Sequence, residues 1–169
     1  MNLKILSLLI IEVCILLPDV CYAFFSKDVH LLNMQNGLAD NTVSAVYKDK
    51  EGFVWFGTRN GLSRYDGRQI TNFEQSNSYP SISNLKEVFD GVLAFVDNGV
   101  FSAFDLKKER FLSVVSSSGQ GIPSRGMLQR NDSLVWVISG SELHLMKRCA
   151  SKEGELRLRV QEKYTGWNN

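Results

Sequence analysis

A segment of about 40 residues occurs three times in this chain of 169 residues. Each copy contains a short apolar strand, and these strands begin at Val54, Leu93 and Val135. In the first copy, Asn60-Gly61 and Asp66-Gly67 supply the positive-φ positions that tight hairpins require. A period of about 40 residues with four strands per unit is typical of β-propeller blades. The repeat therefore predicts an all-β fold, a partial β-propeller of about three four-stranded antiparallel blades.

The boundaries of the copies follow from their turns. The blade repeats are predicted at residues 40–73, 82–112 and 126–148. Residues 155–165 alternate apolar and charged side chains and are predicted to start a further sheet. Because one small sheet cannot bury both of its faces alone, the copies are expected to stack on one another.

The N-terminal stretch predicts export. Lys4 gives a basic start, residues 5–17 are mostly apolar, and small residues occupy the positions before a cleavage site that follows Ala23. This order is typical of a secretory signal peptide. We expect a signal helix at residues 1–23, cleavage after Ala23, and a periplasmic partial propeller at residues 24–169; an uncleaved membrane anchor is the alternative. Cleavage would leave Cys149 as the one cysteine, which excludes an internal disulfide.

Composition and motifs argue against several other functions. The net charge is +1 with no clustered basic face, so no nucleic-acid partner is predicted. His30 and His144 lie far apart without metal-ligand spacing, and no Gly-x-Ser-x-Gly motif occurs. No cofactor, metal site or catalytic residue is predicted, and the ligand-binding residues are left unassigned.

Residues 37–73 read GLADNTVSAVYKDKEGFVWFGTRNGLSRYDGRQITNF. This segment resembles the two-component regulator propeller repeat in its opening Gly-Leu, its Asp-x-x-Gly turn, its apolar-Trp-apolar-Gly-Thr strand and its closing Gly-Leu-x-Arg-Tyr-Asp-Gly. The matched structural positions, with the tryptophan of the third copy, are Gly37, Leu38, Asp49, Gly52, Trp55, Gly57, Thr58, Gly61, Leu62, Tyr65, Asp66, Gly67 and Trp136.

The resemblance implies a place in the periplasmic region of a hybrid two-component sensor of Bacteroides-type bacteria. Such a parent would contain further blades, a dimerising β-sandwich, a helix anchoring it in the inner membrane, and cytoplasmic histidine kinase, receiver and DNA-binding parts. An oligosaccharide is the implied ligand, and the parent would be a homodimer. The chain itself contains no kinase motifs and is expected not to be an enzyme.

Several alternatives stay open from sequence. The chain is interpreted as a ligand-sensing segment, with a truncated non-functional remnant or an exported propeller lyase or glycosidase as alternatives. Trp55 and Trp136 are expected to pack one blade on the next rather than stack on sugars, and Asp49 and Asp66 to form turns rather than hold calcium. Polar connections at residues 74–84 and 115–126 are the predicted ligand contacts.

Overall fold

The computed structural model describes residues 30–74 and 81–165, and the predicted signal peptide lies outside them. Within these ranges, a short 3-10 helix at Met34–Asn36 precedes twelve β-strands. The strands are β1 (Val43–Lys48), β2 (Val54–Thr58), β3 (Gly61–Tyr65), β4 (Ile70–Phe73), β5 (Ile82–Phe89), β6 (Val92–Asp97), β7 (Val100–Asp105), β8 (Arg110–Ser116), β9 (Gly126–Asn131), β10 (Leu134–Ser139), β11 (Glu142–Cys149) and β12 (Glu155–Thr165).

Three meanders of four strands form the blades, which confirms the predicted all-β propeller-type fold. Blade 1 contains β1–β4, blade 2 contains β5–β8 and blade 3 contains β9–β12, each paired antiparallel in sequence order. The prediction that residues 155–165 start a further sheet is wrong. β12 pairs with β11 along Glu142–Cys149 and is the fourth strand of blade 3, because the turn before it returns the chain to that blade.

Blades 2 and 3 are joined by main-chain pairing. The first residues of β12, Glu155–Leu158, run parallel to Ser113–Ser116 of β8. The strands of the two blades therefore form one eight-stranded sheet, whereas blade 1 is a separate four-stranded sheet.

Successive side chains of the central strands point to opposite sides, so each blade has two faces. In β6, Leu93 and Phe95 pack toward blade 1, while Val92 and Ala94 pack toward blade 3. We call the face toward the following blade the front face and the opposite one the rear face. All six residues of β6 are buried because blade 2 is covered on both faces.

Two apolar clusters fill the spaces between blades. The aromatic seam, between blades 1 and 2, is built on Trp55, Leu62, Ile82, Leu85, Leu93, Phe95 and Phe104. The aliphatic seam, between blades 2 and 3, is built on Val88, Phe89, Val92, Ala94, Phe101, Ala103, Ile122, Val135, Val137, Met146, Leu156 and Leu158. A search of the described residues finds no helix with the length and hydropathy of a membrane span.

Candidate functional site

Asp49 of the repeat motif forms the turn between β1 and β2. Its Oδ1 accepts hydrogen bonds from the backbone N–H groups of Glu51 and Phe53 at 3.0 and 2.9 Å. Its Oδ2 accepts a hydrogen bond from the indole Nε1 of Trp55 at 2.7 Å. Gly52 completes this turn with a φ of +96°. Both oxygens of the Asp49 carboxylate are thus used by its own blade, as expected of a turn former.

The remaining motif residues after the turn let the strands approach closely. A Cβ on Gly57 would lie 2.6 Å from Cγ2 of Ile82, the first residue of blade 2. A Cβ on Gly61 would lie 2.6 Å from the carbonyl oxygen of Phe73. Thr58 Oγ1 donates to the Gly61 carbonyl at 2.9 Å and is fully buried. Leu62 is buried beside Trp55 in the aromatic seam.

The turn between β3 and β4 is closed by Asp66. Its Oδ1 accepts hydrogen bonds from the backbone N–H groups of Arg68 and Gln69, both at 2.7 Å. These bonds to the charged form hold the pKa of the Asp66 carboxyl below its ordinary value. Gly67 follows with a φ of +96°, and Tyr65 before the turn is half-buried. This carboxylate also serves the turn.

The opening Gly-Leu pair lies against the rear face of blade 1. Leu38 is 4% exposed, and the Gly37 carbonyl accepts a hydrogen bond from Asn72 Nδ2 at 2.9 Å. Ser63 links the same segment to the sheet, since its Oγ accepts from the Ala39 N–H at 3.2 Å and donates to Asn72 Oδ1 at 2.7 Å.

A cleft opens where the turns of blades 1 and 2 meet. We call it the seam cleft; its volume is about 460 Å³. Phe53, Trp55 and Leu106 give it an apolar floor. Charged side chains of both signs surround this floor, namely Asp49, Lys50, Glu51, Arg64, Glu87, Asp90, Lys107 and Glu109.

Ion pairs across the seam and within blade 2 line the charged rim of the cleft. Lys50 Nζ of blade 1 lies 3.3 Å from Glu87 Oε1 and 3.6 Å from Asp90 Oδ1 of blade 2. Glu87 is almost buried, and its Oε1 also accepts a hydrogen bond from the Gly91 N–H at 3.0 Å. Lys107 Nζ lies 3.7 Å from Asp90 Oδ2. The rim therefore presents hydrogen-bond donors and acceptors from both blades.

Arg64 connects the rim to the floor. Its guanidinium carbon lies 4.8 Å from the ring centroid of Phe53, 5.6 Å from Trp55 and 5.5 Å from Phe73. The same guanidinium pairs with Glu109 of blade 2 at 2.5 Å. A cation over aromatic faces with a carboxylate partner is held in one orientation.

Two side chains at or beside the cleft have pKa values that differ from their ordinary values. Burial, reinforced by the nearby Glu87 carboxylate, raises the pKa of the Tyr47 phenol above its ordinary value. The hydrogen bond and charge of Glu87 raise the pKa of the Lys50 amine. Both groups are protonated at neutral pH, so Lys50 is a cation on the rim and the nearby Tyr47 is a neutral phenol.

Sequence reasoning did not single out the blade 2 side of this cleft. Glu87, Asp90 and Glu109 belong to the copy that has lost most of the motif, and they come together only through folding. One signal was present: Glu87 is one of two charged residues, with Lys86, between the apolar residues Leu85 and Val88 near the end of β5. The described parts of the predicted contact regions, residues 74, 81–84 and 115–126, lie at the opposite ends of the strands from the cleft, and residues 75–80 fall outside the described residues.

The two tryptophans have different surroundings. Trp55 is 1% exposed and packs on Phe73 and Phe104, with ring centroids 5.5 and 5.4 Å apart. Trp136 is half-buried on the front face of blade 3, where Tyr164 contacts it at 5.6 Å. The expected packing of Trp136 on a following blade does not occur among the described residues, because no described blade covers that face.

Comparison with known proteins relates this architecture to extracellular domains of two bacterial proteins. Residues 37–60 match the family model of the two component regulator propeller. The chain is similar to a structure described as the extracellular domain of a hybrid two component system, BT3049, from B. thetaiotaomicron (20% identity, TM-score 0.55, 70% of this chain and 18% of that one). It is also similar to the extracellular domain of a one component system, BT4673, from B. thetaiotaomicron (18% identity, TM-score 0.58, 79% and 21%).

A third similar structure is Hsv2p of Kluyveromyces lactis, with 12% identity, a TM-score of 0.52 and coverage of 73% of this chain and 47% of that one. No curated protein matches the chain. The chain spans about a fifth of the length of the two bacterial domains, 18% and 21%. Residues 37–60 therefore match the two component regulator propeller repeat, in a chain whose propeller-type fold is similar to that of these extracellular domains.

Proposed function

We propose that this chain is a ligand-sensing propeller segment of the periplasmic region of a hybrid two-component sensor, and that its ligand is an oligosaccharide. The repeat at residues 37–60 and the fold shared with extracellular domains of two bacterial regulatory systems support the sensor assignment. The segment would act together with further blades, and kinase, receiver and DNA-binding activities would belong to other parts of the sensor. Export by residues 1–23 and anchoring of the sensor in the inner membrane are parts of the same proposal.

The seam cleft is the observation that carries the choice of ligand. A sugar offers hydroxyl groups, which both donate and accept hydrogen bonds, and C–H faces that pack on aromatic rings. The cleft offers carboxylates at Glu87 and Asp90, amines at Lys50 and Lys107, and the half-buried ring of Phe53. Because the charges are paired across the seam, a neutral polyhydroxyl ligand could bind without leaving a buried charge unpaired.

A binding experiment on the full chain tests this proposal. Calorimetric titration with a panel of purified oligosaccharides should find at least one that binds, and Asp90→Asn should weaken it about tenfold by removing a charge-assisted acceptor. Asp132→Asn is the matched control, since Asp132 occupies the equivalent β9–β10 turn of blade 3. If no member of the panel binds, or if both variants weaken binding equally, the seam cleft is not a sugar site.

A structural remnant without sensing activity is the second candidate, and one observation favours it. The front face of blade 3 leaves Leu128 58% and Ile138 45% exposed. An apolar face of this kind promotes aggregation unless it is covered. A chain that forms only large aggregates without cooperative unfolding would support the remnant and exclude the sensor segment.

A further inference from the structure

Glu87 differs from the other charged residues that line the seam cleft, because it alone among those described is buried. Its side chain is 8% exposed, whereas those of Lys50 and Asp90 are 73% and 76% exposed. Glu87 lies across from Leu93, whose side chain packs in the aromatic seam, so its carboxylate points toward blade 1. A carboxylate that is more than nine-tenths buried therefore forms part of the cleft wall.

The protein uses only one oxygen of this carboxylate. Oε1 of Glu87 accepts a hydrogen bond from the Gly91 N–H at 3.0 Å and lies 3.3 Å from Lys50 Nζ. Oε2 accepts no hydrogen bond from the described residues. It is not sealed inside the protein either, since Arg110 Nε is the one fully buried side-chain atom without a partner found among them. Oε2 is therefore an open acceptor on the wall of the cleft.

An open oxygen on a buried carboxylate favours a ligand that donates a hydrogen bond. Burial removes water from the Glu87 carboxylate, and its cationic partner Lys50 lies mostly in solvent, where an ion pair contributes little. A hydrogen bond to a charged acceptor is about twice as strong as one between neutral groups. A sugar hydroxyl that donates to Oε2 would make such a bond.

The charges of the cleft leave no cation for an acidic ligand among the residues that line it. Five carboxylates and three cations line the cleft, which gives a net charge of −2. Arg64 pairs with Glu109, and both lysines pair with Asp90. An anionic sugar would have to displace one of these pairs, and it would meet the Glu87 carboxylate as a like charge, which is unfavourable.

We propose that Glu87 determines the specificity of the seam cleft: its Oε2 accepts a sugar hydroxyl, so the cleft binds neutral oligosaccharides and rejects those that carry carboxylate or sulfate groups. A site that hydrogen-bonds a hydroxyl discriminates strongly against a ligand without that hydroxyl, and repulsion of an anion adds to the discrimination. The inference rests on the proposed function, because it names the class of oligosaccharide that the same site takes.

Matched pairs of sugars test the choice of class. The neutral probes are the linear trisaccharides of glucose, of mannose and of galactose, and each acidic probe is the same trisaccharide with carboxylates in place of its hydroxymethyl groups. In calorimetric titration of the full chain, at least one neutral probe should bind at least about tenfold more tightly than its acidic counterpart.

The outcomes of this titration separate the specificity from the proposed function. Equal binding within every pair, or tighter binding of the acidic member, would overturn the specificity and leave the seam cleft as a sugar site. If no probe of either class binds, the inference is wrong, and the wider panel of oligosaccharides decides the proposed function separately.

Glu87→Gln tests the residue itself. Glutamine keeps an oxygen for the Gly91 N–H but places an amide donor where Oε2 accepts. The neutral probe should bind at least about tenfold more weakly, and its advantage over the acidic probe should fall below about threefold, because the like charge is gone. Glu153→Gln is the matched control: Glu153 pairs with Lys108 and Arg110 outside the cleft, so affinity and preference should both stay unchanged. Equal losses for both probes in Glu87→Gln would indicate a structural role only and contradict the proposal.

Glu87→Asp separates the hydrogen bond from the charge. Aspartate keeps the negative charge but withdraws the carboxylate oxygens by about 1.5 Å, the length of one carbon–carbon bond. The neutral probe should bind at least about threefold more weakly, while the acidic probe should still be rejected. Urea unfolding first shows that each variant is folded. Unchanged affinity of Glu87→Asp for the neutral probe would overturn the role of Oε2, even if Glu87→Gln does not fold.

Discussion

The two seams of this chain hold neighbouring blades together by different means. The aromatic seam packs Trp55, Phe95 and Phe104 between two separate sheets, and ion pairs at the turns close its rim. The aliphatic seam packs mostly aliphatic side chains together with Phe89 and Phe101, and β8 and β12 join its sheets by parallel hydrogen bonding. The first therefore relies on side-chain shape, whereas the second also relies on the main chain.

One position accounts for much of this difference. Trp55 on the front face of blade 1 corresponds to Ala94 on the front face of blade 2. The smaller side chain leaves volume in the aliphatic seam, and Leu156 and Leu158 of β12 are buried in the same cluster as Ala94. We infer that β12 reaches across to β8 because its leucines fill the space that a tryptophan fills in the aromatic seam.

Removing the tryptophan of the aromatic seam should have the largest effect. Trp55→Ala should lower the free energy of unfolding by about 3–5 kcal/mol, because it leaves a cavity and an unpaired Asp49 oxygen. Trp136→Ala, at the equivalent position on the uncovered face, should cost less than about 1 kcal/mol in the monomer. Urea unfolding at a concentration where the chain is monomeric measures both; equal losses would mean that the two faces are equally covered.

The contrast between these tryptophans also shows how far sequence reasoning reached. The turns, the strand alternation and the position of Trp55 were predictable because they depend on local pattern and on one neighbouring blade. The open front face of blade 3 was not predictable, because Trp136 occupies the same sequence context as Trp55. The seam cleft was missed for a related reason: Glu87 and Arg64 are 23 positions apart by residue number and meet only through stacking.

The pairing of β12 with β8 was likewise hidden from the sequence. Residues 155–165 alternate apolar and charged side chains, which predicts a strand but not its partner. A strand that leaves one neighbour and pairs with another depends on the volume available between the blades. That volume is set by residues distant in sequence, such as Ala94.

Truncating a leucine of β12 should have the next largest effect. Leu158→Ala should lower the free energy of unfolding by about 2–5 kcal/mol, because Leu158 is fully buried in the aliphatic seam. Val160→Ala on the same strand is the control, since Val160 is 42% exposed and should cost less than about 1 kcal/mol. Urea unfolding gives both values, and hydrogen exchange should report faster exchange at residues 113–116 in the Leu158 variant. A small loss for Leu158→Ala would mean that main-chain pairing alone holds the aliphatic seam.

Blocking the close approach of Gly57 to Ile82 in the aromatic seam should cause a smaller but specific loss of stability. Gly57→Ala places a Cβ 2.6 Å from Ile82 Cγ2 and 3.2 Å from the Ile82 carbonyl oxygen. Because the backbone of β5 would have to shift, we expect a loss of about 1–3 kcal/mol. In a double-mutant cycle measured by urea unfolding, Gly57→Ala should cost less stability in an Ile82→Ala background than in the unmodified chain. Additive losses would show that Ile82 does not limit the approach of the blades.

Replacing Arg64, which covers the aromatic seam, should have the smallest effect on the free energy of unfolding. Arg64→Met keeps an apolar stem over Phe53 and Trp55 but removes the cation and its pair with Glu109. The expected loss is about 0.5–2 kcal/mol, since the guanidinium lies over aromatic rings and is partly shielded from solvent. Arg130→Met removes the cation that lies over Trp136 on the uncovered face of blade 3, where the exposed arginine should contribute less than about 0.5 kcal/mol. The two arginines lie at nearly the same distance from their indoles, so the difference between these losses reports the contacts of Arg64 with Phe53 and Phe73 of its own blade together with its pair with Glu109 of blade 2. Equal losses in urea unfolding would mean that the arginine acts within its own blade and that Glu109 contributes nothing across the seam.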